Sequence, residues 1–194
     1  VGHRLRLEEL GATCLLEPLI EPELLEGDTG AIFARPFDWV LFTSKKAVDF
    51  FFDLLTDWGF DSRWLPKVAA IGDPAIEKLR ARGIEPDLIP PEPTRVSLST
   101  SLIESGLAGM RVLIPASAVA PDHVRENLIP HAAEVVRVDL YTIRYPEVRE
   151  VPASDVVLFS SETTVRSAKQ NGLLKEIRDR DMVVGGIGPG TCGR

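Results

Sequence analysis

Asp38-Trp39-Val40-Leu41-Phe42-Thr43-Ser44 recurs further along the chain as Asp155-Val156-Val157-Leu158-Phe159-Ser160-Ser161, an offset of 155 − 38 = 117 residues. A second echo sets Val68-Ala69-Ala70-Ile71-Gly72 against Val183-Val184-Gly185-Gly186-Ile187-Gly188, at 187 − 71 = 116. Two chance matches rarely share one spacing, so the chain reads as two related halves. The period far exceeds the ~20–50 residues of solenoid repeats, which points to duplicated domains rather than an array.

Each first echo is a short apolar run that ends in hydroxyls and leads into a helical stretch, Ala47-Val48-Asp49-Phe50-Phe51 or Val165-Arg166-Ser167-Ala168. A run apolar on both faces suits a strand covered on both sides, as in a parallel sheet. Ser44 and Ser161 then fall where a helix N-cap belongs. Free N–H groups at such a helix start attract anions, and ligands of open parallel sheets gather at the carboxyl ends of the strands. The repeated unit is thus an expected anion-binding edge.

The remaining elements alternate between strand and helix. Residues 4–11 read as a helix ended by Gly11, and Thr13 to Leu19 as an apolar strand. Strand 38–42, helix 45–58, strand 68–71 and a helix from Pro74 to Arg82, ended by Gly83, follow. Pro86 to Ile89 is expected as a short strand, Thr94 to Glu104 as a helix and 111–114 as a strand. Asp122 to Leu128 should be helical and Glu134 to Tyr145 extended, and the second echo adds helices near 162–178 and a strand from Met182 to Ile187. This succession predicts an α/β fold with two similar parallel-sheet domains. Because 4–19 resembles 122–140, one domain is expected to be interrupted by the other. The expected division is 1–19 with 148–194, then 26–139, joined by linker strands 20–25 and 140–147. The opening at Val1 predicts that the first strand of the interrupted domain is missing or partial.

Its 194 residues suit one large or two small domains, and 44% apolar content is ample for real cores. No apolar stretch approaches the ~20 residues that span a bilayer, and no secretory leader precedes the first helix, so a cytoplasmic protein with no membrane partner is expected. A net charge of −7 argues against nucleic acid as a partner. It leaves room for an anionic small ligand, because screening confines electrostatics to ~10 Å and Lys45-Lys46 stands at a helix start. Cys14 and Cys192 lie in no metal-ligand spacing and read as ordinary thiols; His3, His123 and His131 share no catalytic or metal spacing and read as surface residues.

Together, the hydroxyl loops at 42–44 and 159–161, the Ile-Gly loops at 71–72 and 187–188, and Val138-Asp139-Leu140-Tyr141 resemble uroporphyrinogen-III synthase over nearly the whole chain. The resemblance implies two α/β domains, one discontinuous, on a two-stranded linker, with the active cleft between them, and a monomer. It implies a lyase of tetrapyrrole biosynthesis. Its substrate would be hydroxymethylbilane, which loses its terminal hydroxyl, inverts its last pyrrole ring through a spiro intermediate and closes the macrocycle without a metal or organic cofactor. Positioning a flexible polycarboxylate is then the main catalytic resource. On that resemblance Thr43, Ser44, Lys45, Gly72, Ser160, Ser161, Gly188 and Thr191 bind substrate, and Tyr141 is an assisting acid. The family's threonine is replaced by Ala75, and 115–121 lacks its basic residue.

Other readings of the same residues stay open at this level. Ser44 and Ser161 serve equally as helix caps, Tyr141 as a strand aromatic, and Lys45-Lys46 as a solvated helix start. Gly188-Pro189-Gly190-Thr191-Cys192-Gly193 fits G-x-G-x-x-G, but the duplication explains the glycines better than a dinucleotide site does. A synthase-like module that senses a tetrapyrrole without turning it over is the alternative function, favoured by Ala75 and the missing basic residue.

Overall fold

The computed structural model describes residues 2–25, 35–57, 59, 65–187 and 191. Within it the chain forms two compact units, Val1–Pro22 with Ile143–Arg194, and Glu23–Thr142. Gly188 and Cys192 lie outside the described residues.

The larger unit is built on strands β2 (Trp39–Phe42), β3 (Lys67–Ala70), β4 (Arg111–Ser117) and β5 (Glu134–Arg144), with β1 (Glu21–Leu24) beside β5, in the order β1-β5-β4-β2-β3. Pairs β2–β3, β2–β4 and β4–β5 are all parallel. All four residues of β2 are buried, which explains why its sequence carries no polar face. Helices α2 (Lys45–Asp57), α3 (Asp73–Arg80), α4 (Arg95–Glu104) and α5 (His123–Leu128) supply the crossovers. One sheet face, through Trp39, Leu41, Ile71, Val112 and Ile114, packs on Leu98 and Leu102 of α4 and Val124 and Leu128 of α5. Phe42 points the other way and meets Phe51 of α2 edge-on at 5.3 Å. Both rings are almost fully buried, so trimming Phe51 to alanine costs ~3–5 kcal/mol.

In the smaller unit, β6 (Val156–Phe159) and β7 (Val183–Gly186) pair in parallel, and α6 (Glu162–Gln170) and α7 (Leu173–Asp179) follow β6. Its core is Val151, Phe159, Ala168, Leu173 and Ile177. Helix α1 (Gly2–Glu9) opens the chain. The echoed segments make matching backbone contacts: Lys67 N–H donates to Asp38 O and Val183 N–H to Asp155 O, both at 3.1 Å. Ile71 N–H likewise donates to Phe42 O at 3.0 Å, and Ile187 N–H to Phe159 O at 2.9 Å.

Three expectations need correction. Residues 13–19 form no strand: Leu15 and Leu16 are exposed, and the segment's tie is Leu19 O, which accepts from the buried Ser167 hydroxyl at 2.5 Å. Apolar content alone does not make a strand when no neighbouring edge pairs with it, and Pro18 removes one donor. The strand at 86–89 shrinks to a single bridge, Ala69 to Leu88, in a stretch flanked by Pro86 and Pro90. Strand β4 runs three residues beyond 114, because Pro115 loses one N–H yet still packs beside Val138 of β5.

Candidate functional site

The strand order dictates where a ligand belongs. From β2 the chain steps to β3 and on to the Leu88 bridge, then returns to the other side of β2 as β4. The direction of winding therefore reverses between β2 and β4. In open parallel sheets the crevice outside the strand carboxyl ends at such a switch is the binding position. A cleft of about 690 Å³ lies there, lined by Thr43 after β2, Ile71 and Gly72 after β3, Pro93 to Val96 at the start of α4, and His123 and Asn127 of α5.

Ser44 follows Thr43 and caps α2: its Oγ accepts from Ala47 N–H at 3.1 Å. The same Oγ lies 3.3 Å from the hydroxyl of Tyr141. Tyr141 is buried, with its ring stacked on Phe50 of α2 at 4.8 Å. Its place on β5 is set by a bulge, where Ala116 pairs with Asp139 but Ser117 with Tyr141. Arg137 clamps that bulge, donating to Asp139 at 2.7 Å, to Asp122 at 3.1 Å and to the Ser117 carbonyl at 2.9 Å. Burial raises the Asp122 carboxyl, but hydrogen bonds and charge from Arg137 and Arg125 outweigh it and hold the group below its ordinary range.

Gly72 has φ 82 and ψ 130, a conformation side chains rarely adopt, and its carbonyl accepts the first N–H groups of α3 from Ala75 and Ile76. A Cβ there would meet only Pro74 Cδ, at 3.9 Å. The glycine is required by the backbone angle rather than by a crowded wall. Ala75 is buried on α3, facing the core rather than the cleft. Lys45 and Lys46 are exposed on the first turn of α2.

The equivalent loop of the smaller unit has Ser160 exposed and Ser161 in a complete capping box on α6. Ser161 Oγ accepts from Thr164 N–H at 3.3 Å and Ser161 N–H donates to Thr164 Oγ1 at 3.2 Å. Thr191 donates to Ile187 O at 2.8 Å. Thus Thr43, Ser44, Lys45, Gly72 and Tyr141 stand in the larger unit, with Ser44 and Tyr141 in contact, and Ser160, Ser161 and Thr191 in the smaller one. Sequence reasoning missed Thr94, Arg95, His123 and Asn127 as cleft residues. His123 is exposed, as the sequence predicts, with Nδ1 3.2 Å from Glu126, and it also forms part of the wall. Among the described residues no cluster of side chains suited to a metal ion occurs, and no helix is long and apolar enough to cross a membrane.

Comparison with known proteins gives these observations a family. The family model for uroporphyrinogen-III synthase HemD matches residues 4–194. The porphyrin biosynthesis protein HemD of Ruminiclostridium josui is 29% identical over 146 residues, covering 72% of this chain and 29% of the relative. A relative from Methanothermobacter thermautotrophicus is 27% identical over 146 residues, 73% of this chain and 57% of its own length. The chain therefore spans less than two thirds of the curated relatives it matches. Among solved structures, a mutant uroporphyrinogen III synthase from Thermus thermophilus has a TM-score of 0.61 at 18% identity, over 98% of this chain and 81% of that one. The uroporphyrinogen-III synthetase of Helicobacter pylori has a TM-score of 0.53 at 14% identity, over 87% and 83%. At such identities these likenesses speak for the fold, and the family rests on the match that runs from residue 4 to the last residue: the chain belongs to the uroporphyrinogen-III synthase family.

Proposed function

We propose that this protein converts hydroxymethylbilane to the type III isomer of uroporphyrinogen, and that the hydroxyl loops at the strand ends hold the substrate's carboxylates. The observation that carries this reading is the Ser44–Tyr141 contact at the carboxyl edge of the sheet, inside a chain whose residues 4–194 match the family. Ala47 N–H donates to the Ser44 oxygen, and the Ser44 and Tyr141 hydroxyls lie 3.3 Å apart; in this reading Ser44 is the donor of that pair, which leaves the tyrosine proton for the substrate. Hydrogen bonds in such a chain strengthen one another. The carbinol C–O bond breaks, the hydroxyl takes the tyrosine proton and leaves as water, and the cation attacks the last pyrrole ring at its substituted carbon. In the spiro intermediate the bond from that carbon to its original bridge carbon breaks, and the ring's free α-carbon bonds the bridge carbon instead, so the ring is inverted as the macrocycle closes. The proton lost when the ring regains its aromaticity balances the one given up by Tyr141.

In the same reading Thr43, Ser44, Lys45 and Gly72 serve one part of the substrate, and Ser160, Ser161, Gly188 and Thr191 another. The two compact units are the two domains of the fold, with the crossings at 20–25 and 140–147 as a two-stranded linker, and the enzyme works as a cytoplasmic monomer. Pairing of Leu25 N–H with Leu140 O at 2.9 Å and of Arg144 with Glu21 supports the linker assignment. The test is chromatography of the oxidised product after incubation with hydroxymethylbilane. Type III product above the spontaneous background supports the reading, whereas only type I from folded protein overturns it.

A further inference from the structure

The larger unit has seven arginines among the described residues of 23–142, and six of them are accounted for: Arg35, Arg80, Arg82, Arg111, Arg125 and Arg137 each pair with a carboxylate. Arg95 alone has no carboxylate partner among the described residues. It lies on the wall of the 690 Å³ cleft, and among the described residues that line the cleft none is an aspartate or glutamate. His123 stands on the same wall with Nδ1 toward Glu126 at 3.2 Å, and in its imidazolium form, where both ring nitrogens donate, the other N–H serves an anionic ligand. Thr43 and Asn127 add uncharged polar groups, while Ile71, Pro93 and Val96 supply apolar surface.

We infer that this cleft binds one carboxylate-bearing pyrrole ring, with Arg95 and His123 on the carboxylate and Ile71, Pro93 and Val96 against the ring. The inference rests on the function proposed above for the identity of the ligand, and it adds Arg95 and His123 as residues that recognise it. A guanidinium takes a carboxylate through two parallel N–H donors, so Arg95 fixes the arm's direction as well as its charge. The basic residue missing from 115–121 is thereby replaced from a different element, the first turn of α4. Arg95 is exposed and has no ion pair among the described residues, so its removal strands no buried charge.

Two measurements on the whole chain test this. First, tricarballylate, a simple tricarboxylate, is titrated into isotope-labelled protein and followed by NMR. Shifts at Gly72 and the His123 ring that vanish in Arg95→Ala support the site. No shift, or the same shift in Arg95→Ala, overturns it. Second, the affinity for uroporphyrin, the oxidised macrocycle, is measured by fluorescence in wild type, Arg95→Ala, Arg95→Lys and His123→Ala. Loss of one charge-assisted contact should weaken binding about tenfold in Arg95→Ala, with partial recovery in Arg95→Lys. Unchanged affinity in both alanine variants, with melting points preserved, refutes the role in tetrapyrrole binding. If wild-type protein binds tricarballylate through Arg95 but forms no type III product, the proposed function fails and the carboxylate site stands.

Discussion

Replacing Tyr141 with phenylalanine separates the chemical role of this residue from its structural one. The ring is buried and stacks on Phe50 at 4.8 Å, contacts that phenylalanine keeps. The hydroxyl's partner is Ser44 Oγ, at a long 3.3 Å, and Ser44 retains Ala47 N–H at 3.1 Å when the tyrosine oxygen is gone. The variant therefore loses one weak hydrogen bond and leaves no charged group stranded. The expected stability cost is ~0.5–1.5 kcal/mol, a few degrees in melting temperature. If the hydroxyl protonates the departing group, turnover falls about 10- to 100-fold, the lower range for a positioned general acid. Denaturant melts measured beside initial rates of hydroxymethylbilane consumption, corrected for spontaneous closure, read both quantities. An unchanged rate returns Tyr141 to a structural role, and a rate loss matched by a large loss of folded protein refutes the separation argued here.

Ser44→Ala should destabilise more than Tyr141→Phe, because it removes the α2 cap and strips a buried hydroxyl of its partner; together these amount to ~1.5–3 kcal/mol by urea denaturation. Gly72→Ala should cost ~1–3 kcal/mol through backbone strain at φ 82, since a Cβ there meets nothing closer than 3.9 Å; a neutral substitution would show that the loop relaxes. Acid should weaken the larger unit. Burial raises the Asp49 carboxyl, but Lys78 and Arg82 more than offset it, and Arg111 and Arg35 lower Glu134, so both carboxyls, with Asp122, titrate below their unfolded range. Their contribution is present above that range and is lost as pH falls through the folded values, so melting temperature should drop below about pH 4.5, and less steeply in Arg137→Met. A flat profile there would contradict the linkage.

Much of the sheet was legible because its strands are short apolar runs bounded by hydroxyls or glycine, as in 39–42 and 183–186, and because the helices end at Gly11, Gly83 and Gly106, each with positive φ. The stretch 13–19 was not, since its pattern matches a strand and only the missing pairing partner distinguishes it. Of the candidate site, the hydroxyl loops were readable through their repetition. The Ser44–Tyr141 contact was not, because it joins residues 97 apart through the β4–β5 bulge. Arg95, His123 and Asn127 reach one cleft from separate elements, and nothing local marks them beyond the cap residue Thr94.

The central claim is that the hydroxyl loops at the strand ends hold the tetrapyrrole. Hydrogen–deuterium exchange of the whole protein with and without uroporphyrin tests it most directly. The account predicts slowed exchange in the peptides covering 43–47, 71–76, 94–97 and 160–164, with the core strands unchanged. Protection confined to other surfaces, or none at a uroporphyrin concentration that saturates binding, would contradict it.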